Sequence, residues 1–122
     1  MQILLLLLAT ISTLAAAGDI RKQCESQGMA FTGDEHNPSF SYVCSGPKGE
    51  DSSMISLNDC FAFNTDERKF EVKAGGNAFA ETCEFNSIGT HATTSFSAIC
   101  DGAKYAGDAV ELDVNDEGTI FC

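Results

Sequence analysis

"SFSYVCSGPK", residues 39–48, returns as "SFSAICDGAK", residues 95–104. At one constant offset Gly33, Ser39, Phe40, Ser41, Cys44, Gly46 and Lys48 meet identical residues at Gly89, Ser95, Phe96, Ser97, Cys100, Gly102 and Lys104. Val43 meets Ile99 conservatively, and Cys24-Glu25 and Cys83-Glu84 open the two stretches. "ISLND" (55–59) resembles "VELDV" (110–114), one residue out of step. Unrelated sequence does not supply such a register, so the chain reads as a tandem duplication. Repeat one covers about 24–75 and repeat two about 76–122.

The local pattern is extended. Phe40, Tyr42 and Cys44 alternate with Ser41 and Val43, "FSAIC" does the same, and "KFEVKAGG" places Phe70 and Val72 on one face. Such period-two alternation describes half-buried strands. "TGDEHNPS", "SGPKGEDSS" and "KAGGN" separate these runs with the residues that turns require. "SLNDCFA" suits a single helical turn with Ser56 as N-cap. The expected class is all-β, built of short strands and hairpins.

The first residues, "MQILLLLLATISTLAAAGD", have the apolar run and small-residue exit of a secretory signal, with "AAA" before Gly18 as the cleavage pattern. The apolar run is too short for a spanning helix. The reading is a signal peptide over 1–17 and one mature domain over 18–122. A domain of that size has a marginal core. Six cysteines, Cys24, Cys44, Cys60, Cys83, Cys100 and Cys122, answer that weakness. Their even number and wide spacing imply three disulfides in an oxidising, extracellular setting rather than a metal site. Six cysteines allow fifteen connectivities. A duplicated unit keeps its own staple, which favours Cys24–Cys44 and Cys83–Cys100 and leaves Cys60–Cys122.

Against 18 acidic residues stand 7 basic ones, a net charge of −11. Phosphate backbones and anionic membrane faces are repelled by such a surface, which excludes nucleic acid as the main partner. Membrane insertion is not expected either.

With two such copies in this order, the sequence resembles the cyanovirin-N homology family, and secreted fungal members in particular. The residues that carry the likeness are "ISLNDCFAFNTDERKF" (55–70), "GGNAFAETC" (75–83), "SFSAIC" (95–100) and "VELDVNDEGTIF" (110–121). The resemblance implies one pseudo-symmetric domain of two cyanovirin-N-like repeats that exchange strands, with a sugar site at each end. It implies a lectin for mannose-containing glycans, without catalysis, cofactor or metal, existing as a monomer or weak dimer. Carried over by position, one site comprises Asn64, Asp66, Asn77, Glu81, Thr82, Asp101 and Gly102. Carboxylates and amides suit adjacent ring hydroxyls, because charge-assisted hydrogen bonds are the strong ones. The same residue types also make turns in any protein. A second, poorer site comprises Gln23, Ser45, Asn115 and Glu117.

Two departures bear on that poverty. Six residues separate Leu57 from Asn64 and only two separate Leu112 from Asn115, which reads as the loss of a helical turn from repeat two. Asp66-Glu67-Arg68 stands where the family often has Asp-Gly, which enlarges that loop. Both departures favour the leading alternative, a secreted cysteine-rich protein-interaction module on the same fold with a degenerate sugar site. A small secreted ribonuclease is a further alternative. His36 and His91 are the only histidines, and the duplication puts them in different halves, which separates the acid from the base such an enzyme needs.

Overall fold

The computed structural model describes residues 18–122, so the signal peptide expected over 1–17 lies outside the described residues. In "PSFSYVCSG" the alternation becomes strand β2 (Pro38–Gly46), which buries Phe40, Tyr42 and Cys44 on one face. β1 (Ala30–Gly33) and β3 (Gly49–Ser56) flank it in an antiparallel sheet of order β1-β2-β3. Two short elements precede this sheet, the single-turn helix α1 (Ile20–Gln23) and a 3-10 turn over Ser26–Gly28. After it come a 3-10 turn over Leu57–Asp59, the hairpin β4 (Phe61–Asn64) and β5 (Lys69–Val72), and the single-turn helix α2 (Ala78–Glu81).

The second quoted stretch forms the middle of another antiparallel sheet. β7 (Ser95–Cys100) buries Phe96, Ala98 and Cys100 between β6 (Cys83–Phe85) and β8 (Ala103–Asp108). A 3-10 turn over Ala109–Glu111 leads to the hairpin β9 (Asp113–Val114) and β10 (Ile120–Phe121). This turn corrects the expectation that a helical turn is missing before Asn115. It lies just ahead of Leu112, so Ala109, and not Leu112, stands at the start of its turn as Leu57 does. Ser56 does stand at the N-cap position of its turn, but its side chain makes no capping bond.

Each two-stranded hairpin packs against the three-stranded sheet more distant in sequence. The Phe61 and Phe70 rings lie 5.4 and 5.3 Å from Phe96, Phe63 lies 5.0 Å from Tyr105, and Arg68 donates to the Tyr105 hydroxyl. In the opposite direction, Ile120 N–H donates to the Tyr42 hydroxyl at 3.3 Å, and Lys48 N–H donates to the Asp116 carbonyl at 2.9 Å. The two sheets also touch directly. Phe31 N–H donates to Thr90 O at 2.9 Å, and Gly89 N–H donates to Phe31 O at 2.8 Å.

The result is one continuous core. Phe96 is its hub, with the rings of Phe31, Phe61, Phe70, Phe79 and Phe85 at 5.3 to 5.9 Å. Burying one such ring is worth about 1.5–3 kcal/mol, and tilted or edge-on pairing adds to it. Three disulfides close the structure, and their pairing is the expected one: Cys24–Cys44, Cys83–Cys100 and Cys60–Cys122. The first two join adjacent backbone segments, with Cα atoms 3.9 and 4.2 Å apart. The third ties the residue before β4 to the residue after β10. Three such bonds in a small domain are compatible with an extracellular protein. Among the described residues no helix is long and apolar enough to cross a membrane.

Candidate functional site

The hairpin tips decide where open polar surface forms. Asn115 follows β9, and its side-chain carbonyl accepts from the N–H groups of Glu117 and Thr119, at 3.0 Å each. Those bonds fold 115–119 into a tight turn, which Gly118 completes at φ 83°. The turn then lies flat on the β2–β3 hairpin. A Cβ at Gly118 would come within 2.1 Å of the Cys44 carbonyl oxygen, and one at Gly46 within 2.2 Å of the Asp116 oxygen. Only glycine allows backbones this close.

That contact leaves an open cleft of about 350 Å³ lined by Lys48, Gly49, Glu50, Asp51, Glu117 and Thr119. One wall is the β2–β3 turn with the start of β3, and the other is the β9–β10 turn. Behind it, the Tyr42 hydroxyl donates to the Asp51 carboxylate at 2.9 Å. Burial, and then the hydrogen bond to Asp51, push the Tyr42 phenol above its ordinary pKa.

Of the four residues expected for the poorer site, Glu117 lines this cleft and Ser45 pairs with Glu50 beside it. Gln23 and Asn115 are framework. The Gln23 amide donates to Ser45 O at 3.0 Å while its oxygen accepts from Asp19 N–H at 2.9 Å, pinning α1 to β2. Sequence reasoning did not select Lys48, Glu50, Asp51 or Thr119. Lys48 was visible as a repeat identity, but nothing local in the sequence brings the 48–51 and 117–119 segments together.

The seven residues of the expected better site divide differently. Asn64 holds the β4–β5 turn, accepting from Asp66 and Glu67 N–H at 3.0 and 2.9 Å and donating to Glu71 at 3.0 Å. Asp101 and Gly102 are the two residues of the β7–β8 turn, at φ 50° and 82°, a conformation that Asp-Gly supplies readily. Asn77 takes a left-handed conformation (φ 51°) at the entrance to α2 without a side-chain cap. The cap comes from Asn58, whose side-chain oxygen accepts from Phe79 and Ala80 N–H at 2.9 and 3.1 Å. Thr82 and Asp101 flank the paired Cys83 and Cys100, so the β6–β7 register brings them to one sheet end. Glu81 and Thr82 line a smaller cleft of about 230 Å³ with His36, Phe79 and Glu84. Asp66 is exposed on the tip of its turn.

The histidines occupy different surroundings. His36 Nδ1 lies 3.3 Å from Phe79 O, and its other ring nitrogen lies 3.6 Å from the Glu35 carboxylate, both side chains well exposed. His91 Nδ1 lies 3.1 Å from Gly89 O. A further groove of about 460 Å³, lined by Lys69, Phe70, Asp108 and Glu111 among others, contains none of the expected site residues. Among the described residues no three His, Cys, Asp or Glu side chains gather as a metal ion requires. No protein-family model, no curated protein and no solved structure matches the chain.

Proposed function

We propose that the chain is a secreted lectin of the cyanovirin-N homology type, two interlocked tandem repeats that bind mannose-containing glycans without catalysis. The observation that carries this reading is the cleft between Lys48–Asp51 and Glu117–Thr119. It combines an ammonium donor, carboxylate acceptors and a hydroxyl, with no aromatic side chain in its lining. Sugar hydroxyls donate and accept at once, so they bond best where charged acceptors and a donor stand together. Such contacts largely replace water, so one site binds weakly and useful binding depends on a multivalent target.

The duplication is supported by the matching order of parts. A single-turn helix precedes Cys24 and another precedes Cys83; each middle strand begins past a positive-φ glycine, Gly33 or Gly89; each small hairpin turns on an asparagine, Asn64 or Asn115. The hairpins that cross to the other sheet support strand exchange, because a lone repeat would leave Phe61 and Phe70 without Phe96. The Glu117 end has better support as a sugar site than the Asn64 end.

A second reading has a specific observation in its favour. Asn64, Asn77, Asp101, Gly102 and Asn115 already serve turns, which leaves room for a protein-interaction module that keeps the frame without the sugar. A glycan array with the folded, oxidised protein separates the two. Retention of mannose-rich oligosaccharides supports the lectin. An empty array, with a protein recovered by affinity capture, supports the module.

A further inference from the structure

Of the four outer edges of the two three-stranded sheets, three are covered or flanked. Along β1, Phe31 exchanges bonds with Gly89 and Thr90. Against β6, Phe85 N–H donates to Glu35 O at 2.9 Å. β8 carries Lys104 and is flanked by the β4–β5 hairpin through Phe63 and Arg68 on Tyr105.

The edge of β3 is different. Val43 O accepts from Glu25 N–H at 2.9 Å, on the side of β2 away from β3. That fixes the phase of the ladder, because antiparallel residues alternate between bonding to one neighbour and the other. Asp51, Ser53 and Ile55 bond to β2, while Ser52 and Met54 turn their N–H and C=O groups outward and Ser56 its N–H, the Ser56 carbonyl starting the 3-10 turn that follows. Among the described residues no strand pairs with this edge. Met54 is the most exposed large apolar side chain described, at 60%.

We propose that a second copy of this chain occupies that edge, pairing β3 with β3 antiparallel about Met54. The ladder is self-complementary. With Met54 opposite its own counterpart, the two Met54 residues face each other with both bonding groups, and Ser52 falls opposite Ser56, whose N–H faces the partner's Ser52 carbonyl. Natural edges are normally protected by charge or proline. Ser52–Ser56 has neither, in a chain of net charge −11. A copy approaching most other surfaces meets like charge; here it meets serines and a methionine. The two Met54 side chains lie together on the face opposite the core, since Ser53 and Ile55 are the residues paired with buried Tyr42 and Phe40. The inference does not depend on what the clefts bind.

The test is sedimentation of the oxidised protein from low micromolar to millimolar concentration, with amide hydrogen exchange at both extremes. The expected result is a mass rising from monomer toward dimer while exchange slows at Ser52, Met54 and Ser56. Met54→Lys sets like charges directly opposite and raises the dissociation constant about tenfold or more. Met54→Pro removes an outward N–H without touching the β2 ladder, and also weakens the dimer. Ile88→Lys, at another exposed apolar residue (42%), leaves association unchanged. A monomer throughout, with those amides exchanging freely, overturns the proposal. So does a dimer that both Met54 variants leave intact, or protection of these amides only on adding an extended peptide of foreign sequence.

Discussion

Gly107 and Phe96 are register partners on β8 and β7 that compete for the same space: a Cβ at position 107 would lie 2.3 Å from the ring Cζ. The glycine is required by this contact, since its φ is not positive. Gly107→Ala should therefore destabilise the fold by about 1–3 kcal/mol, the usual cost of overpacking. Chemical denaturation measures it. Phe96→Leu in the same background should recover part of the alanine's cost, because it removes the opposing atoms.

Asn58 joins two parts of the chain through buried polar bonds. Its side chain accepts from Phe79 and Ala80 N–H and donates to His36 O. Asn58→Leu leaves two N–H groups at the start of α2 without an acceptor and should cost about 2–4 kcal/mol. Asn58→Asp keeps the acceptor and should cost clearly less. Thermal melts of both variants check the order.

The disulfides should rank by the chain each one closes. Cys60–Cys122 spans 62 residues, against 20 for Cys24–Cys44 and 17 for Cys83–Cys100. The chain-entropy account gives about 4.3 kcal/mol for the first, about 3.3 for the second and about 3.1 for the third. Paired serine substitutions, compared by urea midpoints, should show the Cys60–Cys122 variant as the least stable.

Tyr42 predicts an alkaline limit. Burial, and then the bond to Asp51, raise its folded pKa above the ordinary phenol value of about 10. The unfolded phenol ionises at lower pH than the folded one. The stabilisation is therefore fully present below about pH 10 and is lost as pH rises through the folded value. Melting temperature should fall above pH 10 more steeply in wild type than in Tyr42→Phe. That variant should start lower, because Ile120 N–H loses its acceptor, a cost of about 1–3 kcal/mol.

The sequence made the middle strands legible because Phe40, Tyr42 and Cys44 alternate and because Phe96 and Cys100 repeat them. The disulfide pairing was legible from the same repeated pattern in the sequence. α2 was not legible: four residues cannot display a helical period, and its cap, Asn58, lies 21 residues from the N–H of Phe79 that it accepts. The cleft was half legible. Glu117 was selected from its position, whereas Lys48 and Asp51 enter only because Gly46 and Gly118 let two distant turns touch. Asn64 and Asn115 show the converse difficulty, since an asparagine that folds its own turn looks in sequence like one that holds a ligand.

The cleft residues should separate from those of the site expected to be the better one. Glu117→Ala and Lys48→Ala should each weaken glycan binding about tenfold, the usual scale for a lost charge-assisted bond. Asp66→Ala and Glu81→Ala should have smaller effects. Titration with a soluble mannose-rich oligosaccharide reads all four, with melting temperature as the control for folding.

Most direct of all is a glycan array probed with the oxidised wild-type protein beside Glu117→Ala. The account predicts retention on mannose-containing oligosaccharides that the substitution abolishes or sharply reduces while the fold survives. A folded protein that binds nothing on the array, or binds equally well without the Glu117 carboxylate, contradicts it.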